Sequence, residues 1–136
     1  MCLMEIVDRH HSVPCHRERK KISLIRDGGI GYKVFAADGS SYFSAESHFN
    51  ENWKKAYNNP LYALNAQYTS GFHLFYNLAG AIDYGKRIIR ESDTFYISIL
   101  EYKDILAIGY ESNHRLCIVA DKVRLIRHRA YTYHLN

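Results

Sequence analysis

Gln67-Tyr68-Thr69-Ser70-Gly71-Phe72-His73-Leu74-Phe75-Tyr76-Asn77 reads as a strand that leads into a helix predicted to run to about Arg90. Gly71 lets the chain turn into a short aromatic run of strand type that ends at Tyr76. Asn77 reads as an N-cap. Behind it Leu78, Ala81, Ile82, Gly85, Ile88 and Ile89 fall on one helical face, while Asp83, Lys86, Arg87 and Arg90 point away from it. The cations of the last turns suit the negative end of the helix dipole. A strand that feeds an amphipathic helix is a nucleus on which further strands can pack. It carries no catalytic signature.

The segments on either side of it read mostly as strands. Ile22–Ile25 and Gly31–Ala37 are predicted strands, and Asp38-Gly39 is a two-residue hairpin signal that returns the chain through Ser40–Ser44. Downstream, Thr94–Tyr102, Ile105–Tyr110, Leu116–Ala120 and Val123–Ile126 are predicted as four separate strands, with a turn at Ser112-Asn113-His114. His48–Tyr57 is expected to hold one or two helical turns, with Phe49, Trp53 and Tyr57 on one side and Asn58-Asn59-Pro60 ending them. Leu61–Gln67 reads as an irregular functional loop. Residues 1–20 read as a flexible basic arm, in which 1–7 add an edge strand or a short turn. Residues 21–136 read as a single domain. The fold expected is α+β: a twisted antiparallel sheet of about six or seven strands with one principal helix packed on it.

Composition bounds the function. The chain has 136 residues, enough for one domain that buries roughly two-thirds of its unfolded surface. No apolar run approaches the ~18 residues of a membrane span, and the start lacks the apolar core of a signal peptide. Cys2, Cys15 and Cys117 are an odd set at no framework spacing, expected as reduced thiols of a cytoplasmic protein. Two basic stretches stand out against a net charge of +4. Arg9, Arg17, Arg19, Lys20 and Lys21 face one carboxylate, Glu18, and Arg115, Lys122, Arg124, Arg127 and Arg129 face Asp121. Together with 12 tyrosines this suggests nucleic acid or an acidic protein surface as partner, although a solvated surface has the same composition.

The chemistry-bearing residues give two readings. Cys2, His10, His11, Cys15 and His16 are metal-ligand types, but their spacing lacks the paired thiols of a zinc site, so no metal and no cofactor are expected. A small enzyme, a hydrolase or group transferase, would use Cys2 as nucleophile and His73 as its base, near Tyr32 and Lys33. His73 reads equally as a buried histidine hydrogen-bonded to backbone, and Cys117 as a packing thiol. A binding protein would instead use Tyr32, Lys33, Trp53, Arg124, Arg127, Arg129, Tyr131 and Tyr133. Past Arg127 the chain is expected to leave the sheet as a mobile basic-aromatic tail whose tyrosines stack on unpaired bases.

Met1-Cys2-Leu3, Gly29-Ile30-Gly31-Tyr32-Lys33-Val34-Phe35, the Trp53 segment, Gly71-Phe72-His73-Leu74-Phe75 and Ile118-Val119-Ala120-Asp121, in that order, resemble small proteins carried by bacteriophages and other mobile elements. No established activity comes with that resemblance. It implies a setting of host takeover or counter-defence, of the kind served by small anti-CRISPR-type inhibitors that act by binding.

Overall fold

The computed structural model describes residues 5–8, 28–40, 45–58, 60–63, 66–88, 93–112 and 115–134. Its elements are β1 (Glu5–Asp8), β2 (Gly28–Ala36), a 3-10 turn at Glu46–His48, β3 (Lys54–Lys55), β4 (Pro60–Ala63), β5 (Ala66–Thr69), β6 (Phe72–Phe75), α1 (Leu78–Ile88), β7 (Thr94–Ser112) and β8 (Arg115–His134). The fold is α+β, an antiparallel sheet with one helix packed on it.

The strands are fewer and longer than expected. Five of them, in the order β1-β7-β2-β6-β8, form the body of the sheet, and the two-residue β3 lies at the outer edge of β8. The two segments expected before the Ser112 turn are one strand, and the two after it are another that continues to His134. β7 and β8 pair from Thr94↔His134 to Ser112↔Arg115, with register shifts along the way. Those shifts, and positive φ values at Asp104 (60°) and Arg129 (48°), absorb bends that would otherwise end a strand. Because β7 and β8 pair with each other while β2 and β6 meet at Tyr32↔Phe75, the pairings run in a closed circuit, β7-β2-β6-β8-β7.

Strand alternation puts a core on each side. On β6, Phe72 and Leu74 join Leu100, Tyr102, Ile118, Ala120 and Val123 in one cluster. Phe75 joins Val34, Phe95, Ile97, Cys117 and Val119 in the other, which α1 and Tyr68 cover. On α1 the expected face is largely the observed one. Ala81 and Gly85 are buried, Leu78 and Ile82 half-buried, and Asp83, Lys86 and Arg87 exposed. Tyr84 joins the buried face, and the Ala81 N–H bonds the Asn77 carbonyl at 3.2 Å where the helix starts.

Other expectations change. The helical turns expected over His48–Tyr57 do not form: a 3-10 turn at Glu46–His48 leads into the segment and β3 lies within it, so Phe49 is buried while Trp53 and Tyr57 are exposed. Leu61–Gln67 is not an irregular loop; β4 and β5 pair as a separate hairpin from Pro60↔Thr69 to Ala63↔Ala66. Pro60 stands at the first position of a strand, where its missing N–H costs no ladder bond. Asp38-Gly39 does turn the chain, with Gly39 at φ 83° and the Gly39 N–H bonded to Ala36 O at 2.9 Å. Of the arm, Glu5–Asp8 is an edge strand on β7. The rest of residues 1–20, the Ile22–Ile25 strand and most of the Ser40–Ser44 return lie outside the described residues.

Gly85 sets the distance between helix and sheet. A Cβ built there would overlap the Phe95 ring, which is itself fully buried. Gly85→Val therefore has to push α1 off β7 or turn Phe95 out of its rotamer, at a cost of about 1–3 kcal/mol. The melting temperature of Gly85→Val is expected to fall by roughly 5–10 °C in a calorimetric scan. A variant melting with the parent would mean that α1 does not rest on Phe95.

Candidate functional site

The cross-strand register assembles one uncovered face from four strands. Ile30 lies opposite Glu101, and Glu101 opposite Arg124. One step along, Lys103 lies opposite Lys122, and Lys122 opposite Lys55. Trp53 stands two residues before Lys55 and so on the same side. The residues between them, Tyr102, Val123 and Leu125, point inward to the first core. Among the described residues α1 and Tyr68 cover only the far end of this side, where Val34, Ile97 and Phe95 lie.

The uncovered end is both apolar and basic. Ile30, Ile126 and Trp53 are 53, 50 and 37% exposed. The Lys103 ammonium lies 4.1 Å and the Arg124 guanidinium 4.9 Å from the Trp53 ring centroid. Arg124 also donates from Nε to Glu101 at 2.5 Å. Lys122 donates to Asp104 at 2.6 Å, a bond that raises its pKa, and Lys55 reaches Asp121 at 3.0 Å. Each of these pairs keeps one partner exposed to solvent, and surface pairs are worth ~0–1 kcal/mol each, so the cations can exchange partners at low cost. Arg127, opposite Ile99, is exposed farther along β8.

Trp53 and Arg124 are thus brought together, with Arg127 farther along the same face, but the other expected binding residues do not join them. Tyr32 and Lys33 are neighbours on β2 and point to opposite sides. Lys33 turns its Nζ toward the His73 carbonyl (3.3 Å) and the Phe49 ring (5.9 Å), and burial lowers its pKa to about 8. The expected mobile tail is strand. Ile97↔Tyr131 and Phe95↔Tyr133 are ladder pairs, Tyr133 stacks on Phe95 at 5.3 Å and Tyr131 on Tyr133 at 6.5 Å. The alternation Tyr131-Thr132-Tyr133 is a strand pattern, and β7 is long enough to give it a partner. Arg129 is engaged too. It grips the buried Glu46 carboxylate from Nε at 2.9 Å and Nη2 at 3.2 Å, lies over the Tyr96 ring, and has a raised pKa because of Glu46.

Lys103, Lys55, Lys122 and Ile30 were missed in the sequence. Their grouping depends on the register of four strands, and only the Trp53–Lys55 spacing, read as strand rather than helix, gave a local signal.

His73 is a core residue. Its ring is 3% exposed, with Nδ1 3.2 Å from Gly71 O and Nε2 3.0 Å from the Tyr68 hydroxyl. A carbonyl only accepts, so Nδ1 carries the proton and the Tyr68 hydroxyl donates to Nε2. Burial first, and the Lys33 charge second, push the pKa of His73 down to about 3. Cys2 lies outside the described residues, as do His10, His11, Cys15 and His16. Cys117 is buried, its thiol pKa raised by desolvation. Among the described residues no group of His, Cys, Asp and Glu side chains could hold a metal, and no helix is long and apolar enough to cross a membrane. No family model, curated protein or solved structure matches the chain.

The buried neutral imidazole has a consequence for stability. The unfolded chain takes up a proton near pH 6.5 and the folded one only near pH 3, so stability is complete above pH 6.5 and is lost as pH falls through that window. The slope approaches about 1.4 kcal/mol per pH unit at most. His73→Gln, which can still accept from Tyr68, is expected to unfold in denaturant with a shallower pH dependence between 6.5 and 4 than the parent. Parallel curves would mean that His73 is protonated in the fold.

Proposed function

We propose that the protein is a non-enzymatic binding module whose uncovered sheet face takes a polyanion, either nucleic acid or the acidic surface of a complex that handles nucleic acid. One observation carries the reading: Trp53 lies with Lys103 and Arg124 against its ring, on a face where exposed aliphatic side chains alternate with cations. Cations held in pairs that stay open to solvent on one side can pass to phosphates or to a partner's carboxylates with little loss. The net charge of +4 favours such an encounter. A mobile-element setting, in which the module blocks a host defence complex, belongs to the same proposal and rests on the sequence resemblance. The enzyme reading gains no support, since the His73 ring is enclosed and already bonded on both nitrogens.

Charge removal tests this directly. Reversal of Arg124 or Arg129 would set carboxylates against Glu101 or Glu46, so neutral replacements on the open face are the cleaner probe. Four phosphate contacts, from Lys103, Lys122, Arg124 and Arg127, would weaken binding to a single strand about fiftyfold between 50 and 200 mM salt. The triple variant Lys103→Gln, Arg124→Gln, Arg127→Gln is expected to keep its circular dichroism and to show only about a threefold salt response. A flat salt response in the parent, or parental affinity in the variant, would make the face a solvated surface.

A further inference from the structure

We infer that the occupant of this face is a single-stranded nucleic acid that stacks an unpaired base on Trp53; the inference rests on the polyanion reading and narrows it. A duplex offers the face only sugar and phosphate. It would satisfy Lys103, Lys122 and Arg124 but leave Ile30, Ile126 and the indole against its charged backbone. A single strand presents phosphates and apolar base faces in alternation, and the face repeats that alternation. Lys103 and Arg124 flank Trp53, with Ile30 beyond Glu101 on one side and Ile126 along β8 on the other.

The energetics agree in sign. An exposed cation over an indole is worth ~0.5–1 kcal/mol, whereas a base stacked on an aromatic side chain is worth ~1–3 kcal/mol. A base can therefore take the ring face that the Lys103 ammonium holds, and the freed lysine reaches the adjacent phosphate. The Glu101 carboxylate, held by Arg124 Nε at 2.5 Å, stands in the neighbouring cross-strand row. There it can accept from an exocyclic amino group at a base edge, which duplex pairing would have concealed. An acidic peptide has carboxylates for the cations but nothing that requires the indole.

Trp53 is the only tryptophan of the chain, so its emission reports on the site without labelling. The full chain is titrated with oligo(dT) and with a mixed-sequence strand of about 15 nucleotides, with the duplex of the same length, and with poly-glutamate. Single strands are expected to quench the Trp53 emission and to bind at least tenfold more tightly than the duplex. Trp53→Ala is expected to lose ten- to a hundredfold in affinity, and Trp53→Tyr, which keeps a ring, to recover most of it. Salt-sensitive binding without quenching, or a Trp53→Ala variant that binds as the parent does, would overturn the stacking while leaving the polyanion reading in place. Equal affinity for duplex and strand, or binding of poly-glutamate in preference to either, would replace the single strand with another occupant. Failure of every probe to bind would remove both.

Discussion

A strand of 20 residues laid straight would run about 66 Å, and a compact domain of this length has a radius of gyration near 14 Å. The pairing of β7 with β8 is therefore a constraint before it is a stabilising contact, because the hairpin must curl to stay within the molecule. Register shifts and the left-handed turns at Asp104 and Arg129 provide the bends. Once curled, the hairpin has two outer edges that approach each other. β2 fills one and β6 the other, and Tyr32 meets Phe75 where they close. The two cores follow from the same geometry, since every inner strand then has both sides available for burial.

Among the described residues only part of one side receives a cover. α1 occupies the end where Phe95, Ile97 and Val34 lie, and the absence of a side chain at Gly85 lets it settle close. Eleven helical residues do not reach the other end, where Glu101, Lys103 and Arg124 face outward. Lys103, Lys122 and Lys55 stand in one cross-strand row, and the carboxylates beside it, Asp104 on Lys122 and Asp121 on Lys55, with Glu101 on Arg124, relieve the repulsion before any partner arrives. The arrangement gives up little affinity, because a surface pair contributes no more than ~1 kcal/mol and is exchanged rather than merely broken.

What the sequence disclosed, and what it did not, separates by the range of the interactions. The helix, the strand at Phe72–Phe75, the Asp38-Gly39 turn and the strand over Gly31–Ala36 are written in local periodicity and could be read from it. The fusion of four expected strands into two could not. Asp104 and Asp121-Lys122 have the composition of turns, and only the partner strand keeps them in the ladder as Lys103↔Lys122 and Ile105↔Ala120. Phe49, Trp53 and Tyr57 happen to match a helical spacing, while the strand edge at Val123 pulls Lys54 into the sheet. The basic-aromatic end misled for a different reason. Its charge suggested a tail, but Tyr131 and Tyr133 gain more from stacking beside Phe95 than from solvent.

The buried polar residues fix orientation more than they add stability. Arg115 is 2% exposed and is held by Glu111 Oε2 at 2.6 Å and by Asp83 of α1, with no partner for Nη2 among the described residues. Desolvating a guanidinium and leaving one of its donors unsatisfied offsets much of what two carboxylates return. An apolar residue of the same volume would cost less. What the guanidinium adds is direction: it joins Glu111, at the closed end of the hairpin, to the single helical position whose carboxylate can reach it. That link clocks α1 about its axis, so that Gly85 rather than Lys86 meets Phe95. His73 works in the same way on the opposite strand pair, joining Tyr68 to the turn at Gly71 and so fastening the β4–β5 hairpin to the sheet. Helix and hairpin are thereby held over the same core, and among the described residues nothing covers the end of the sheet that carries Trp53.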